Sequence, residues 1–341
     1  IVASATSDSV RDALELAGVT HVLRLEEMMG QSLARRVLGN DAAAHVIGKM
    51  DDLEIAEANP ARTPLVGKRV AESGLRSETG VTVVGLWIQG QFQPADPDTT
   101  INANTILILA GTNDQIEQFN ETYGQDDDTP HHVIIVGGGR VGRVTAHALT
   151  EAGVRWTLIE KERERVRGMK HTRIGDASDW EMIEKSGIQE ATTVIITTHD
   201  DELNIFLTIF YRRLRHSLQI ISRSTRTMNV SRLHRAGANL VLSYASMGAN
   251  TIFNILRGSD TVLLAEGINI FSVDVPTSLA GKALADSEVR SRCGCTIIAI
   301  EQDNEREINP KSNAILPEGG ELVLVGSLKA EQQFRKVFKP A

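Results

Sequence analysis

The sequence predicts an α/β protein: a doubly wound parallel sheet followed by a small α+β module, in two tandem copies of which the first is truncated. Three observations predict it. The chain repeats itself at an offset of 219 residues. Short aliphatic runs alternate with helical patterns in the rhythm of βαβ units. Aromatics make up only 4% of the 341 residues, so the cores must rest on Val, Ile, Leu and Ala, the residues of sheets covered on both faces.

The repeat is an ordered series of matches. Ile1-Val2-Ala3-Ser4 falls on Ile220-Ile221-Ser222-Arg223, Ala17-Gly18 on Ala236-Gly237, Val22-Leu23 on Val241-Leu242, Met28 on Met247 and Gly39 on Gly258. With small loop slips, Leu65-Val66-Gly67-Lys68 matches Leu279-Ala280-Gly281-Lys282, and Thr82-Val83-Val84 matches Thr296-Ile297-Ile298. Leu107 to Gly111 matches Leu322 to Gly326, and Phe119 matches Phe334. Residues 1 to about 123 therefore correspond to the last two thirds of the unit at about 131 to 337, and residues 124–130 form a polar linker closed by Pro130.

In the complete copy, His132 to Val136 reads as a central strand, and Arg140 to Ala152 as a helix closed by Gly153. Trp156 to Glu160, Thr193 to Thr197, Gln219 to Ser222 and Leu240 to Leu242 continue the strands, with a helix from about Glu202 to Leu214. Ser246 to Leu256 reads as a connecting helix. Beyond it, Phe271 to Val275, Thr296 to Ile300 and Leu322 to Val325 are strands of the α+β module.

Composition narrows the function. A net charge of −8 argues against nucleic acid as a partner, and the basic run Arg212, Arg213, Arg215, His216 reads as a solvated helix end. Cys293 and Cys295 are the only cysteines; this excludes a disulfide framework, and C-x-C alone lacks the spacing of a zinc site. No stretch approaches the ~20 apolar residues of a membrane helix.

Gly137-Gly138-Gly139-Arg140-Val141-Gly142 carries G-x-G-x-x-G directly after a strand and before a helix, the context of a Rossmann-like dinucleotide fingerprint. Gly137 permits the tight turn, Gly139 lets backbone approach a pyrophosphate, and Gly142 allows close helix–strand packing. Free amides and the positive dipole end of the helix face the phosphates. Glu160, at the end of the second strand, can accept from ribose hydroxyls, favouring NAD or an adenine nucleotide over NADP. Two more clusters follow strands: Gly175-Asp176-Ala177, and Thr198-His199 with Asp200 and Asp201 as candidate helix caps.

Together with the repeat and the run Asp200-Asp201-Glu202-Leu203-Asn204, these motifs resemble the RCK domains (regulators of potassium conductance) of ligand-gated potassium channels and of Trk-type potassium uptake regulators. Leu264-Ala265-Glu266-Gly267 and Leu279 to Lys282 look like that family's C-terminal subdomain. The resemblance divides the chain into part of a first RCK N-lobe (1–58), a first C-lobe (59–123), the linker (124–130), a second N-lobe (131–258) and a second C-lobe (259–341). It implies a nucleotide pocket of Gly137, Gly139, Arg140, Val141, Gly142, Glu160 and Asp176, flanked by Thr198 and His199; Lys161 and Ala177, beside the two acids, are taken with them. The implied ligand is NAD or an adenine nucleotide (ADP, AMP or ATP) acting as a regulator, without catalysis.

The implied partners are other RCK domains in a homo-oligomeric, tetrameric gating ring and a potassium channel pore domain, at the cytoplasmic face of the cell membrane. A divalent cation such as calcium is a further implied ligand, for which the acidic stretches Asp96 to Asp98 and Asp126 to Asp128 are candidates. The first repeat begins at its fifth strand, without a glycine turn, so no nucleotide site carries over to it. A free-standing Trk-type regulator and an NAD-dependent dehydrogenase are the alternatives. The dehydrogenase needs a substrate domain with an acid or base facing the nicotinamide.

Overall fold

The structure, a computed structural model, describes residues 1–38, 43–61, 63–88, 91–103, 105–124, 132–257, 261–263, 268–303 and 305–339. Gly39, Gly258, the motif at 264–267, the acidic stretch 126–128 and all of the linker except Gly124 lie outside the described residues.

The chain opens with β1 (Val2–Ser4), α1 (Asp8–Leu16), β2 (His21–Leu23) and α2 (Leu25–Leu38). Next come β3 (His45–Met50), β4 (Leu53–Ala58), α3 (Leu75–Thr79), β5 (Thr82–Ile88), β6 (Gln91–Pro94), β7 (Thr105–Gly111) and α4 (Asn113–Tyr123). The middle of the chain runs β8 (His132–Val136), α5 (Arg140–Glu151), β9 (Arg155–Glu160), β10 (Thr172–Ile174), α6 (Trp180–Lys185) and β11 (Thr193–Ile196). It continues with α7 (Asp201–Leu214), β12 (Gln219–Ser224), α8 (Val230–Ala236), β13 (Leu240–Ser243) and α9 (Tyr244–Arg257). The last elements are β14 (Thr261–Leu263), β15 (Ile268–Asp274), α10 (Val289–Cys293), β16 (Thr296–Gln302), β17 (Glu305–Ile308), β18 (Glu321–Ser327) and α11 (Leu328–Phe338).

These elements form two compact units, 1–38 with 127–252 and 39–126 with 253–341. The first holds a six-stranded sheet, β10-β9-β8-β11-β12-β13, parallel throughout. This is the doubly wound sheet expected, and strand order reverses beside β8, where such sheets bind ligands. Successive residues feed opposite cores. Ile134 and Val136 join one apolar cluster with Leu207 and Leu233, while Val133 and Ile135 join another with Val141 and Leu149. Burial on both faces is why the strands read as unbroken aliphatic runs.

The first copy contributes β1 and β2, parallel to each other as β12 and β13 are. Its α2 lies on the complete copy's α5, burying Met29, Leu33, Ala34 and Val37 in the second cluster. The two helix backbones come close at Gly30, whose carbonyl accepts from Thr145 Oγ1 at 3.2 Å.

In the second unit two five-stranded antiparallel sheets have the same order, β3-β4-β7-β5-β6 and β14-β15-β18-β16-β17. The repeat read from sequence is thus a repeat in space. The sheets meet through Leu53, Ile55, Ile108 and Ala110 against Ile268, Ile270, Val323 and Val325. Leu107 and Leu109 point the other way, toward Phe119 on α4, and Leu322 and Leu324 likewise toward Phe334 on α11. The sequence shows three strands in the last module; the structure adds β14 and β17. β17 alternates exposed and half-covered residues and sits at the sheet edge, so it carries no aliphatic signature.

The basic run is more than a solvated helix end. Arg212 donates to the carbonyls of Gly237, His216 and Leu218, and Arg215 to those of Ile188, Gln189 and Ala191. Both guanidinium groups satisfy loop carbonyls.

An alanine at Gly30 would place its Cβ 2.7 Å from Val144 Cβ and 2.9 Å from the Val141 carbonyl. Its better helix propensity, about 1 kcal/mol, is outweighed by overpacking of about 1–3 kcal/mol. Gly30→Ala is expected to destabilise the first unit, and a denaturant midpoint at or above that of the wild type would refute the packing argument.

Candidate functional site

A cleft of about 560 Å³ opens at the C-terminal ends of β8 to β12. Its floor is the turn from β8 into α5. Gly137 takes φ +102°, in the left-handed region that favours glycine, and its carbonyl accepts from Thr197 Oγ1 at 2.9 Å. A Cβ on Gly142 would lie 1.9 Å from that same carbonyl oxygen, so only glycine lets α5 rise this close to the strand. Gly142 therefore packs inside the turn and does not line the cleft.

Gly139 is different. A Cβ there would meet no atom within 4 Å, and the residue stands as the N-cap of α5 with no side chain to cover the first amides. The helix N-terminus is left with unpaired donors and its positive dipole end directed at open space. Arg140 and Val141 line the cleft beside it.

Glu160 is 7% exposed and braces this turn: Oε2 accepts from the Gly138 amide at 2.6 Å and Oε1 from the Glu162 amide at 3.0 Å. Each oxygen keeps a second lone pair. Asp176 accepts from the Ser178 amide at 2.8 Å and its hydroxyl at 2.7 Å, and pairs with Lys161 at 3.0 Å across the mouth. It does not cap the next helix; Asp179 does. Ala177, Thr198 and His199 also line the cleft. The structure thus gathers Gly137, Gly139, Arg140, Val141, Glu160, Lys161, Asp176, Ala177, Thr198 and His199 around one space, and sets Gly142 behind it.

Asp200 is the N-cap of α7, accepting from the amides of Glu202 and Leu203. Asp201 is buried and anchors the loop after β12 through the amides of Thr225 and Arg226 and the side chain of Asn229. Burial works to raise its pKa, but these hydrogen bonds outweigh it and hold the carboxyl below the usual range.

Among the described residues no three His, Cys, Asp or Glu side chains stand together as a metal cage. Asp98 pairs with Arg69, and Asp96 accepts from the Asp98 amide. Cys295 is buried, which with the neighbouring Cys293 pushes its thiol up to about 12, unsuited to metal binding. No helix among the described residues is long and apolar enough to cross a membrane.

Comparison with known proteins agrees with this architecture. The TrkA-N domain matches residues 133–244, and the TrkA-C domain matches 59–124 and again 270–339. The solved RCK domain of GsuK is 32% identical with a TM-score of 0.64, the match covering 99% of this chain and 75% of that one. The chain belongs to the RCK family. The GsuK channel bound to NAD matches at the same identity and TM-score, with 62% of its chain covered. Probable potassium channel protein 2 of Methanocaldococcus jannaschii is 28% identical over 242 residues, 65% of this chain and 71% of the relative. The Trk system potassium uptake protein TrkA homolog of Pyrococcus abyssi is 29% identical over 224 residues, 61% of this chain and 97% of the relative.

Sequence reasoning missed the far wall of this RCK cleft. Arg223 is the penultimate residue of β12, Thr225 follows the strand, Tyr244 opens α9, and Glu26 arrives on α2 of the first copy. Glu26 pairs with Arg140 at 3.3 Å. None sits in a motif. The available signal was that the apolar stripe Met29, Leu33, Val37 needs a helix to cover, and the first copy holds no counterpart of α5.

Bonds from the Ser178 amide and hydroxyl, then Lys161, hold the Asp176 carboxyl down to about 2. A depressed carboxylate stabilises the fold above its unfolded pKa of about 3.9, and that contribution disappears as pH falls toward 2. The side chain is 46% exposed, so the effect amounts to under about 1 kcal/mol. A carboxyl-carbon NMR titration of Asp176 is expected to show a midpoint near 2; an ordinary midpoint near 4 would refute these bonds.

Proposed function

We propose that this RCK chain is the ligand-sensing gating module of a potassium channel, and that an adenine nucleotide, foremost NAD, binds its glycine-turn cleft to regulate potassium ion transport. The observation that carries the reading is the uncapped N-terminus of α5 opening through Gly139 into the cleft, a ready anion site. The NAD named with the GsuK channel supports the choice of ligand. So does Glu160, whose buried carboxylate would repel a ribose 2′-phosphate and thus disfavours NADP.

In this reading Gly137, Gly139, Arg140 and Val141 hold the pyrophosphate, with Gly142 setting the turn behind them. Glu160, Lys161, Asp176 and Ala177 hold the adenosine, and Thr198 and His199 flank the remainder. The lobes follow the division 1–58, 59–123, 131–258 and 259–341 about the linker 124–130. The module works at the cytoplasmic face of the cell membrane, in a tetrameric ring of RCK domains coupled to a pore domain. The exposed face of α7, with Phe206 stacked on Phe210 and Ile209 beside them, favours such assembly. Nucleotide shifts the ring only by its difference in affinity between two conformations. No divalent cation enters this reading.

A second reading, a free-standing Trk-type uptake regulator, is favoured by the Pyrococcus abyssi relative, 97% of which is covered. It keeps the same site and ligand and differs in whether a pore shares the chain. The relatives are named for potassium transport, which weighs against the dehydrogenase.

Calorimetric titration with NAD, NADH, ADP, ATP and AMP tests the proposal. Gly139→Asp adds a Cβ that meets nothing within 4 Å beyond its chain neighbours, so the fold is expected to persist while the added negative charge lowers NAD affinity. A loss of tenfold, about 1.4 kcal/mol, or more is the expected result. Unchanged affinity in a folded variant would place the site elsewhere.

A further inference from the structure

The end of the parallel sheet opposite the cleft holds a buried histidine that the cleft does not use. His132, the first residue of β8, is 2% exposed. Its Nε2 lies 3.0 Å from Thr157 Oγ1 on β9 and shares a hydrogen bond with it. Its carbonyl accepts from the Thr192 amide at 2.9 Å, where the chain enters β11. One residue thus joins β8, β9 and the segment between α6 and β11 at the base of the sheet.

The ring is closed in by that segment. A Cβ on Gly187, just past α6, would lie 2.6 Å from His132 Cε1 and 3.1 Å from Nδ1, so the imidazole rests on the glycine's backbone. Gly187 takes φ +81°, in the left-handed region, where the chain turns out of the helix. The loop beyond it is held by Arg215, which donates to the carbonyls of Ile188, Gln189 and Ala191. His132 Nδ1 is buried and has no hydrogen-bond partner among the described residues.

A neutral ring suits this place. With its one proton on Nε2, Thr157 Oγ1 accepts it, and Nδ1 carries none. An imidazolium carries a second N–H, at Nδ1, where no acceptor stands in bonding geometry and water is shut out. Charged groups face the ring from two elements: Arg155 on β9 and Glu190 in the loop, which pair with each other at 2.8 Å. Burial first, and then Arg155, opposes the charged ring; the Gly187 backbone and Glu190 favour it and do not overcome them.

We infer that His132 is an acid-sensitive latch at the base of the sheet. Neutral, it holds the loop between α6 and β11 against β8 and β9. Protonated, its ring leaves the site and the loop opens, while the cleft end of the same strands stays paired. The open base takes up a proton that the closed base refuses, so opening becomes easier as pH falls below the ordinary histidine value of about 6.5. Above that value the latch contributes in full. None of this depends on what the cleft binds.

Amide hydrogen exchange at the two ends of β11 tests the latch. The Thr192 amide donates to the His132 carbonyl at the base, and the Thr197 amide to the Val136 carbonyl beside the cleft. In the wild type, Thr192 protection is expected to fall by up to about tenfold per pH unit below about 6.5, the linkage of one proton, while Thr197 protection holds. His132→Gln can still donate to Thr157 but takes up no proton, so its Thr192 protection is expected to stay level. Every other histidine is common to both proteins, including His234, which burial also keeps neutral. No fall at Thr192, an equal fall at both ends of the strand, or the same fall in wild type and variant would overturn the latch. If the variant does not fold, an NMR titration of the His132 imidazole in the wild type decides: a midpoint below about 6.5 is expected, and one at or above it would overturn the inference.

Discussion

The contact on which the cleft depends is the one between α5 and the strand that feeds it. Gly142 lies so near the Gly137 carbonyl that no Cβ fits between them. Thr197 Oγ1 then bonds that carbonyl and the carbonyl of Val136, tying β11 to the same turn. Glu160 completes the brace from β9 through the Gly138 amide. Three strand ends are thereby fixed about one bare helix terminus. An anion site of this kind needs rigid amides, because donors that must be ordered on binding lose affinity to that ordering. The buried carboxylate thus helps to shape the turn that borders the cleft.

Duplication supplied the rest, and the copies have diverged in ways that burial explains. Tyr123 on α4 bonds Glu78 on α3 at 2.6 Å, and the same place in the second copy holds Phe338 beneath the guanidinium of Arg292. Both solutions close a helix pair over a sheet, one by a hydrogen bond and one by a cation over a ring. Asn309 has no such twin. It donates to the carbonyls of Gly80 and Ala110 in the other copy, while Arg76 returns two bonds to the carbonyls of Asn309 and Pro310. These polar bonds tie the two sheets of the second unit together at the rim of an aliphatic interface.

Much of this was legible because the elements are locally consistent. Gly137 to Gly142 between an aliphatic strand and an amphipathic helix admits few structures, and the same holds for Asp200 capping α7. The repeat fixed which segments correspond, so a parallel sheet and two similar modules followed without coordinates. The edge strands were not legible: Glu305 to Ile308 shows polar residues to solvent and pairs on one side only. Nor was the cleft's far wall. Arg223 reads like any charged strand end, and Glu26 like any first-turn acid of a helix; only tertiary packing brings them together. Asp201 shows the same limit, since a cap and a buried loop anchor look alike in sequence.

That packing has a thermodynamic consequence. Glu26 reaches Arg140 from a helix of the first copy, and Arg140 is the first residue of α5, beside the open amides. Any phosphate that engages Arg140 changes the worth of this ion pair, and any shift of α2 changes the field at the phosphate site. The two effects are one coupling free energy, equal in both directions. A half-exposed pair contributes modestly by itself. Its position matters more than its strength: it is where occupancy of the cleft and the seating of one repeat on the other share the same atoms. A cleft closed by a single copy would lack this link, and anything bound in it would report only on itself.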